Sequence, residues 1–94
     1  MQTLVWNESF RRAFKRLVRK SPGLQETVLN VLATLERDPF THSLNAHKLQ
    51  GNLKGLWACS VEYDCRIIFE LKQDQASGEQ VIFLVNIGSH DEVY

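Results

Sequence analysis

Five side chains in the second half of the sequence have types that do chemistry. They are His47, Asp64, Arg66, His90 and Tyr94. Imidazole and carboxylate groups can move protons, and a guanidinium can neutralise an anion. Each also has a plainer reading. A histidine in a loop is commonly a surface or packing residue. An aspartate in a turn commonly bonds its own backbone. An arginine on a strand is commonly a salt-bridge partner, and a tyrosine near a chain end commonly frays. Cys59 and Cys65 could meet across a hairpin, but two reduced, buried thiols fit a reducing compartment better. No Cys/His spacing resembles a zinc site and no cofactor fingerprint is present, so neither metal nor cofactor is expected.

The elements that must position these groups follow from periodicity. Residues 3–6 read as a short strand. Asn7 or Ser9 can cap a helix that runs to about Lys20. On it Phe10, Ala13, Phe14, Leu17 and Val18 fall on one face, and Arg11, Arg12, Lys15, Arg16, Arg19 and Lys20 on the other. Ser21-Pro22 is a second helix start, with serine at the N-cap and proline at the first helical position. Leu24, Val28, Val31, Leu32 and Leu35 form its apolar stripe, and Asp38-Pro39 ends it. Residues 40–52 show no sustained period and read as a loop. Leu53–Val61 and Cys65–Lys72 are strand-like, joined around Glu62-Tyr63-Asp64, and Val81–Ile87 is a further strand. The order β-α-α-β-β-β with short connections predicts an α+β domain, a helical hairpin on one face of an antiparallel sheet. Ends of neighbouring strands converge, so the candidate residues can share the sheet's mixed face.

Composition bounds the reading. The 94 residues suit a single domain, 1–94, with a modest core. The longest apolar run, Val81–Val85, is far short of the ~20 residues needed to span a bilayer, so no membrane role is expected. The opening MQTLVWNESF lacks the basic and apolar segments of a secretory signal, and a cytoplasmic protein is expected. The formal net charge is zero, but the charge is segregated. Residues 1–20 carry six cations and one acid, a balance of +5; residues 57–94 carry two cations and seven acids, a balance of −5. Such a dipole can meet partners of either sign, and the helical cations can face a phosphate backbone or an acidic partner.

The stretch His47-Lys48-Leu49-Gln50-Gly51-Asn52-Leu53-Lys54-Gly55 resembles the HxLxGxxKG segment of YafQ-type toxins in the RelE/ParE superfamily. The register continues through Val61-Glu62-Tyr63-Asp64 and Arg66-Ile67-Ile68-Phe69. The ending Ile87-Gly88-Ser89-His90-Asp91-Glu92-Val93-Tyr94 resembles that family's closing segment. The resemblance implies a RelE-like fold and the toxin of a type II toxin–antitoxin pair. It implies a metal-independent endoribonuclease that cuts mRNA in the ribosomal decoding site. There the ribose 2′-hydroxyl attacks the adjacent phosphate, leaving a 2′,3′-cyclic phosphate and a 5′-hydroxyl. Carried over by position, His47 and His90 match catalytic histidines, Asp64 an active-site aspartate, and Tyr94 a terminal aromatic that stacks on or orients a base. Arg66 matches a phosphate-contacting arginine of the RelE branch. His90 is then the leading general acid, with Asp64 or His47 as base. Ser60 stands where the YafQ branch has a second histidine, and a hydroxyl cannot be a general base at neutral pH. Lys48, Lys54, Arg11, Arg12, Lys15, Arg16 and Arg19 are the expected cations toward ribosome and RNA. The implied partners are a cognate antitoxin, in a hetero-oligomer, and the ribosome with mRNA. A ParE-like gyrase poison and a degenerate antitoxin-binding module are the alternative readings.

Overall fold

A computed structural model describes residues 2–62 and 64–94. Tyr63, in the expected hairpin joint, lies outside the described residues. The elements are β1 (Thr3–Trp6), α1 (Glu8–Lys20), α2 (Leu24–Arg37), β2 (His47–Lys48), β3 (Trp57–Glu62), β4 (Cys65–Gln73), β5 (Gln80–Gly88) and α3 (His90–Val93). They form a five-stranded sheet in the order β1-β5-β4-β3-β2.

Local chemistry accounts for the helices. In α1, Phe10 and Ala13 are buried, with Phe14 and Leu17 half-buried beside them, while all six Lys and Arg are exposed. Glu8 lies in the first turn and Arg19 and Lys20 in the last, complementing the helix dipole. The rings of Trp6 and Phe10 meet edge-on at 5.1 Å, and those of Trp6 and Phe14 at 5.4 Å, fixing β1 to α1. Val28, Leu32 and Leu35 bury the inner face of α2. Asp38 is extended, at φ −163°, where Pro39 forbids the helix to continue.

Several boundaries differ from expectation for identifiable reasons. Neither Asn7 nor Ser9 caps α1 with its side chain; Ser9 Oγ instead donates to the Val85 carbonyl, 2.6 Å away on β5. The second helix begins at Leu24, because Ser21 and Pro22 form a turn whose carbonyls accept from Leu24 and Gln25. The segment expected as loop contains β2 and two 3-10 turns, at His42–Leu44 and Gly51–Leu53. The latter occupies the expected start of the strand at Leu53, so β3 begins only at Trp57. The sheet is antiparallel except at β1, which pairs parallel to β5 with Thr3 opposite Val81 and Trp6 opposite Leu84. Both helices and strands β2 to β4 lie between β1 and β5 in sequence, so the chain crosses over the sheet as a parallel pair requires.

Alternation along the strands gives the sheet two apolar faces. Cys59, Cys65, Ile67, Phe69, Ile82 and Leu84 face α1 and α2 and make the main core. Ala58 and Ile68 face the other way, where they pack with Leu49 and with Val93 of α3. Both neighbours of β4 are bulged. On β3, the pairing steps from Glu62–Cys65 to Ser60–Arg66, leaving Val61 as the extra residue. On β5 it steps from Asn86–Ile68 to Leu84–Phe69, leaving Val85 extra. Bulges increase local twist and re-aim side chains, and they recur beside functional sites.

Candidate functional site

The glycines of the first motif have a conformational job. Gly51 and Gly55 take φ of +67° and +97°, angles that side chains with a Cβ rarely adopt. They fold the segment back so that the Leu49 N–H donates to the Leu56 carbonyl at 3.0 Å. Leu49, Leu53 and Leu56 then pack beneath Ala58 and Ile68. This fold-back carries β2 onto the edge of the sheet, with His47 opposite Ala58 and Lys48 opposite Trp57. His47 therefore shares the face of Ala58 and Ile68. Lys48 belongs to the helix face, its ammonium 5.6 Å from the Trp57 ring centre. Lys54 follows the 3-10 turn and is exposed.

Asn45, at φ +51°, turns the chain into β2, and its carbonyl lies 3.1 Å from His47 Nδ1. A carbonyl only accepts, so Nδ1 carries the hydrogen in this contact. In the neutral ring, Nε2 then presents a lone pair.

In the next row of the same face, two residues along from Ala58 and Ile68, Ser60, Arg66 and Gly88 lie opposite one another across β3, β4 and β5. Arg66 Nη1 donates to the Glu62 carbonyl at 3.0 Å and to the Cys65 carbonyl at 3.2 Å. The guanidinium is thereby tied to the backbone where β3 passes to β4. Immediately beyond Gly88 the chain enters α3. Ser89 Oγ accepts from the Glu92 N–H at 3.3 Å, and Glu92 Oε1 accepts from the Ser89 N–H at 2.8 Å. This reciprocal pair is a capping box, and its Ser-x-x-Glu spacing stands in the sequence, although periodicity passes over so short a helix. It holds Glu92 below the usual carboxylate range, chiefly through the Ser89 hydrogen bonds, with Lys20 and Arg16 of α1 acting in the same direction.

One turn of α3 brings the ring of Tyr94 against that of His90, 4.5 Å between centres and roughly perpendicular. His90 Nδ1 lies 3.6 Å from Asp91 Oδ1. The backbone N–H of His90 donates to Asp64 Oδ1 at 3.3 Å. Partial burial pushes the Tyr94 phenol up, and the nearby Arg66 charge opposes this. Tyr94 thus ends an ordered turn rather than a frayed tail. The structure brings Asp64, Arg66, His90 and Tyr94 together, and sets His47 on the same face at the β2 edge.

Beside this cluster, on the helix side, a groove of about 680 Å³ runs between the last turns of α1 and the ends of β4 and β5. Arg16 and Lys20 form one wall, and Glu62, Asp64 and Glu92 contribute to the other. Cys59 and Cys65 are free and buried. Burial pushes Cys59 from the usual 9.0 up to about 12 and Cys65 up to about 11. Neither thiol has the depressed value of a nucleophile. Among the described residues there is no cluster of His, Cys, Asp or Glu that could hold a metal ion, and no helix is long and apolar enough to cross a membrane.

A helical hairpin packed on one face of such a five-stranded sheet is the fold of RelE/YafQ-like toxins of the RelE/ParE superfamily. Comparison with known proteins narrows this. The family described as "Bacterial toxin of type II toxin-antitoxin system, YafQ" matches residues 2–94, and the chain belongs to it. Among solved structures, the chain is similar to the Escherichia coli DinJ–YafQ toxin–antitoxin complex, at 18% identity and TM-score 0.77, covering 99% of this chain and 97% of that one. It is similar to YafQ from E. coli BL21(DE3), at 16% identity and TM-score 0.73, covering 100% and 99%. It is also similar to a metal-bound toxin from Helicobacter pylori, at 28% identity and TM-score 0.70, with both chains fully covered. No curated protein sequence matches it.

Proposed function

We propose that this toxin is a ribosome-dependent endoribonuclease that cleaves mRNA in the decoding site. The observation that carries the reading is the His90–Tyr94 pair, an imidazole and a phenol ring 4.5 Å apart on an exposed turn beside Arg66. An aromatic ring can stack on a base while the imidazole reaches the adjoining phosphodiester.

In this reading His90 is the general acid that protonates the leaving 5′-oxygen, and Arg66 offsets the charge that builds on the phosphate. His47 is the base for the 2′-hydroxyl. Its support is the Asn45 contact, which occupies Nδ1 and leaves Nε2 of the exposed neutral ring as the lone-pair nitrogen. Asp64 is then an anchor for His90 rather than the base, since Oδ1 already accepts the His90 N–H. Two imidazoles and a guanidinium fill the proton and charge roles, so the proposed cleavage is metal-independent. Ser60 sits opposite Arg66 and takes no proton role. The cations Arg11, Arg12, Lys15, Arg16 and Arg19 of α1, with Lys48 and Lys54, serve docking to ribosomal RNA. The antitoxin forms a hetero-oligomer with the chain, and the cytoplasm is its proposed site of action.

The test is cleavage of an mRNA threaded through purified ribosomes. Fragments should carry 2′,3′-cyclic phosphate and 5′-hydroxyl ends. His90→Ala should slow cleavage by about 10²–10⁴-fold, the usual contribution of a positioned acid. Absence of cleavage by the wild-type protein, or double-strand breaks in gyrase-bound DNA, would overturn the reading.

A further inference from the structure

We infer that Glu92 is a positioning residue for the reaction, acting through the capping box that holds His90 and Tyr94 in place. The inference rests on the reading of that pair as working groups. α3 has four residues, and a helix that short has no independent stability. Its place is therefore set by what holds it. Val93 anchors it from below, within the second apolar cluster. Asp64 holds the N–H of His90. The Ser89–Glu92 pair closes its first turn, and the Tyr94 N–H completes the turn by donating to the His90 carbonyl at 3.0 Å.

Gly88 shows how closely this latch is fitted. A Cβ built there would lie 2.9 Å from Glu92 Oε1 and 3.1 Å from Glu92 Cβ. The oxygen is the end of a flexible side chain, but the Cβ is part of the turn itself. The φ of Gly88 is not in the left-handed region, so the requirement at this position is for space. Glycine at 88 and glutamate at 92 thus form one fitted pair. Loss of either shifts the turn that carries both rings without touching a reacting group.

The latch needs an acceptor at Oε1, not a charge. Glu92→Gln keeps the acceptor, Glu92→Ala removes it, and Gly88→Ala displaces it. His90 and Tyr94 ring protons should show a direct nuclear Overhauser contact in the free protein. That contact should persist in Glu92→Gln and be lost in Glu92→Ala and Gly88→Ala, while thermal unfolding stays within a few degrees of wild type. On ribosomes, Glu92→Ala and Gly88→Ala should lower kcat about 10–100-fold with KM nearly unchanged, and Glu92→Gln should stay within about twofold. A retained ring contact in Glu92→Ala overturns the inference, whether or not the protein cleaves mRNA. So does equal impairment of Glu92→Gln and Glu92→Ala. Failure of the wild type to cleave counts against the nuclease reading alone, because the ring contact is read without substrate.

Discussion

Asp64 and His90 are 26 residues apart in sequence, yet the carboxylate of one accepts the backbone N–H of the other. The contact joins the start of β4 to the first turn of α3. It gives Asp64 a task that an amide oxygen can also perform. Asp64→Asn should therefore keep cleavage within a few-fold of wild type, and Asp64→Ala should lose about tenfold or more. Equal, complete loss in both variants would make Asp64 the proton acceptor instead. Single-turnover cleavage on ribosomes measures the difference.

The Glu92 carboxylate is held below its usual value of 4.5 by Ser89. A depressed folded value means that its contribution is present above the unfolded value and lost as pH falls through the folded one. Protonated Glu92 still offers a carbonyl oxygen, so the His90–Tyr94 ring contact should persist below pH 4.5 while the stability that the charge adds is lost there. A pH series of ring-proton spectra and of thermal unfolding follows both, and Glu92→Gln should remove the stability dependence alone.

The two thiols make an opposite, alkaline prediction. Burial raises both, so folding favours their protonated forms. Stability is retained below the unfolded value near 9 and falls as pH rises from there toward 11. The slope approaches about 1.4 kcal/mol per pH unit for each thiol. Urea titrations at pH 8, 9.5 and 10.5 check the slope. At pH 8, iodoacetamide should label Cys59 and Cys65 only in the unfolded chain.

Phe10 is fully buried and touches Trp6 edge-on. Phe10→Ala removes a ring from the junction of β1, α1 and the main core. It should cost about 3–5 kcal/mol, a large part of the stability of a domain this size. Equilibrium urea unfolding measures it. A loss below about 1 kcal/mol would mean that the junction repacks freely.

The α1 face exposes six cations. Replacing Arg12, Lys15 and Arg19 together by Glu should weaken antitoxin binding by roughly tenfold or more at low salt, and less at high salt. Calorimetry at two ionic strengths reads both effects. Unchanged affinity would place the antitoxin elsewhere.

The helices and long strands were legible because their apolar residues repeat at clear periods, as Phe10, Ala13, Phe14 and Leu17 do. The five candidate residues were legible by type, and four of them converge. What escaped notice depends on contacts distant in sequence or on very short elements. Ser9 has the composition of a cap, but its hydroxyl donates to the Val85 carbonyl on β5, a contact distant in sequence. β2 has two residues and no period, and exists because Gly51 and Gly55 fold the chain back. The parallel pairing of β1 has no local signature at all. The Ser89–Glu92 box was written in the sequence and hidden only by the brevity of its helix.

That parallel pairing governs when the molecule can form. Thr3 to Trp6 hydrogen-bond to residues 81–84, so the sheet cannot close until nearly the whole chain has been synthesised. Translation at ~5–20 residues per second puts several seconds between the two strands. Throughout that interval β1 lacks the strand it pairs with, and α1 lacks β5, against which it packs. Contacts of such long range slow folding. The turn bearing His90 and Tyr94 follows β5 directly, so the two rings take their places only after that strand is made. On the proposed reading, a nascent chain carries no assembled site until β5 is in place, a delay in which an antitoxin can meet it.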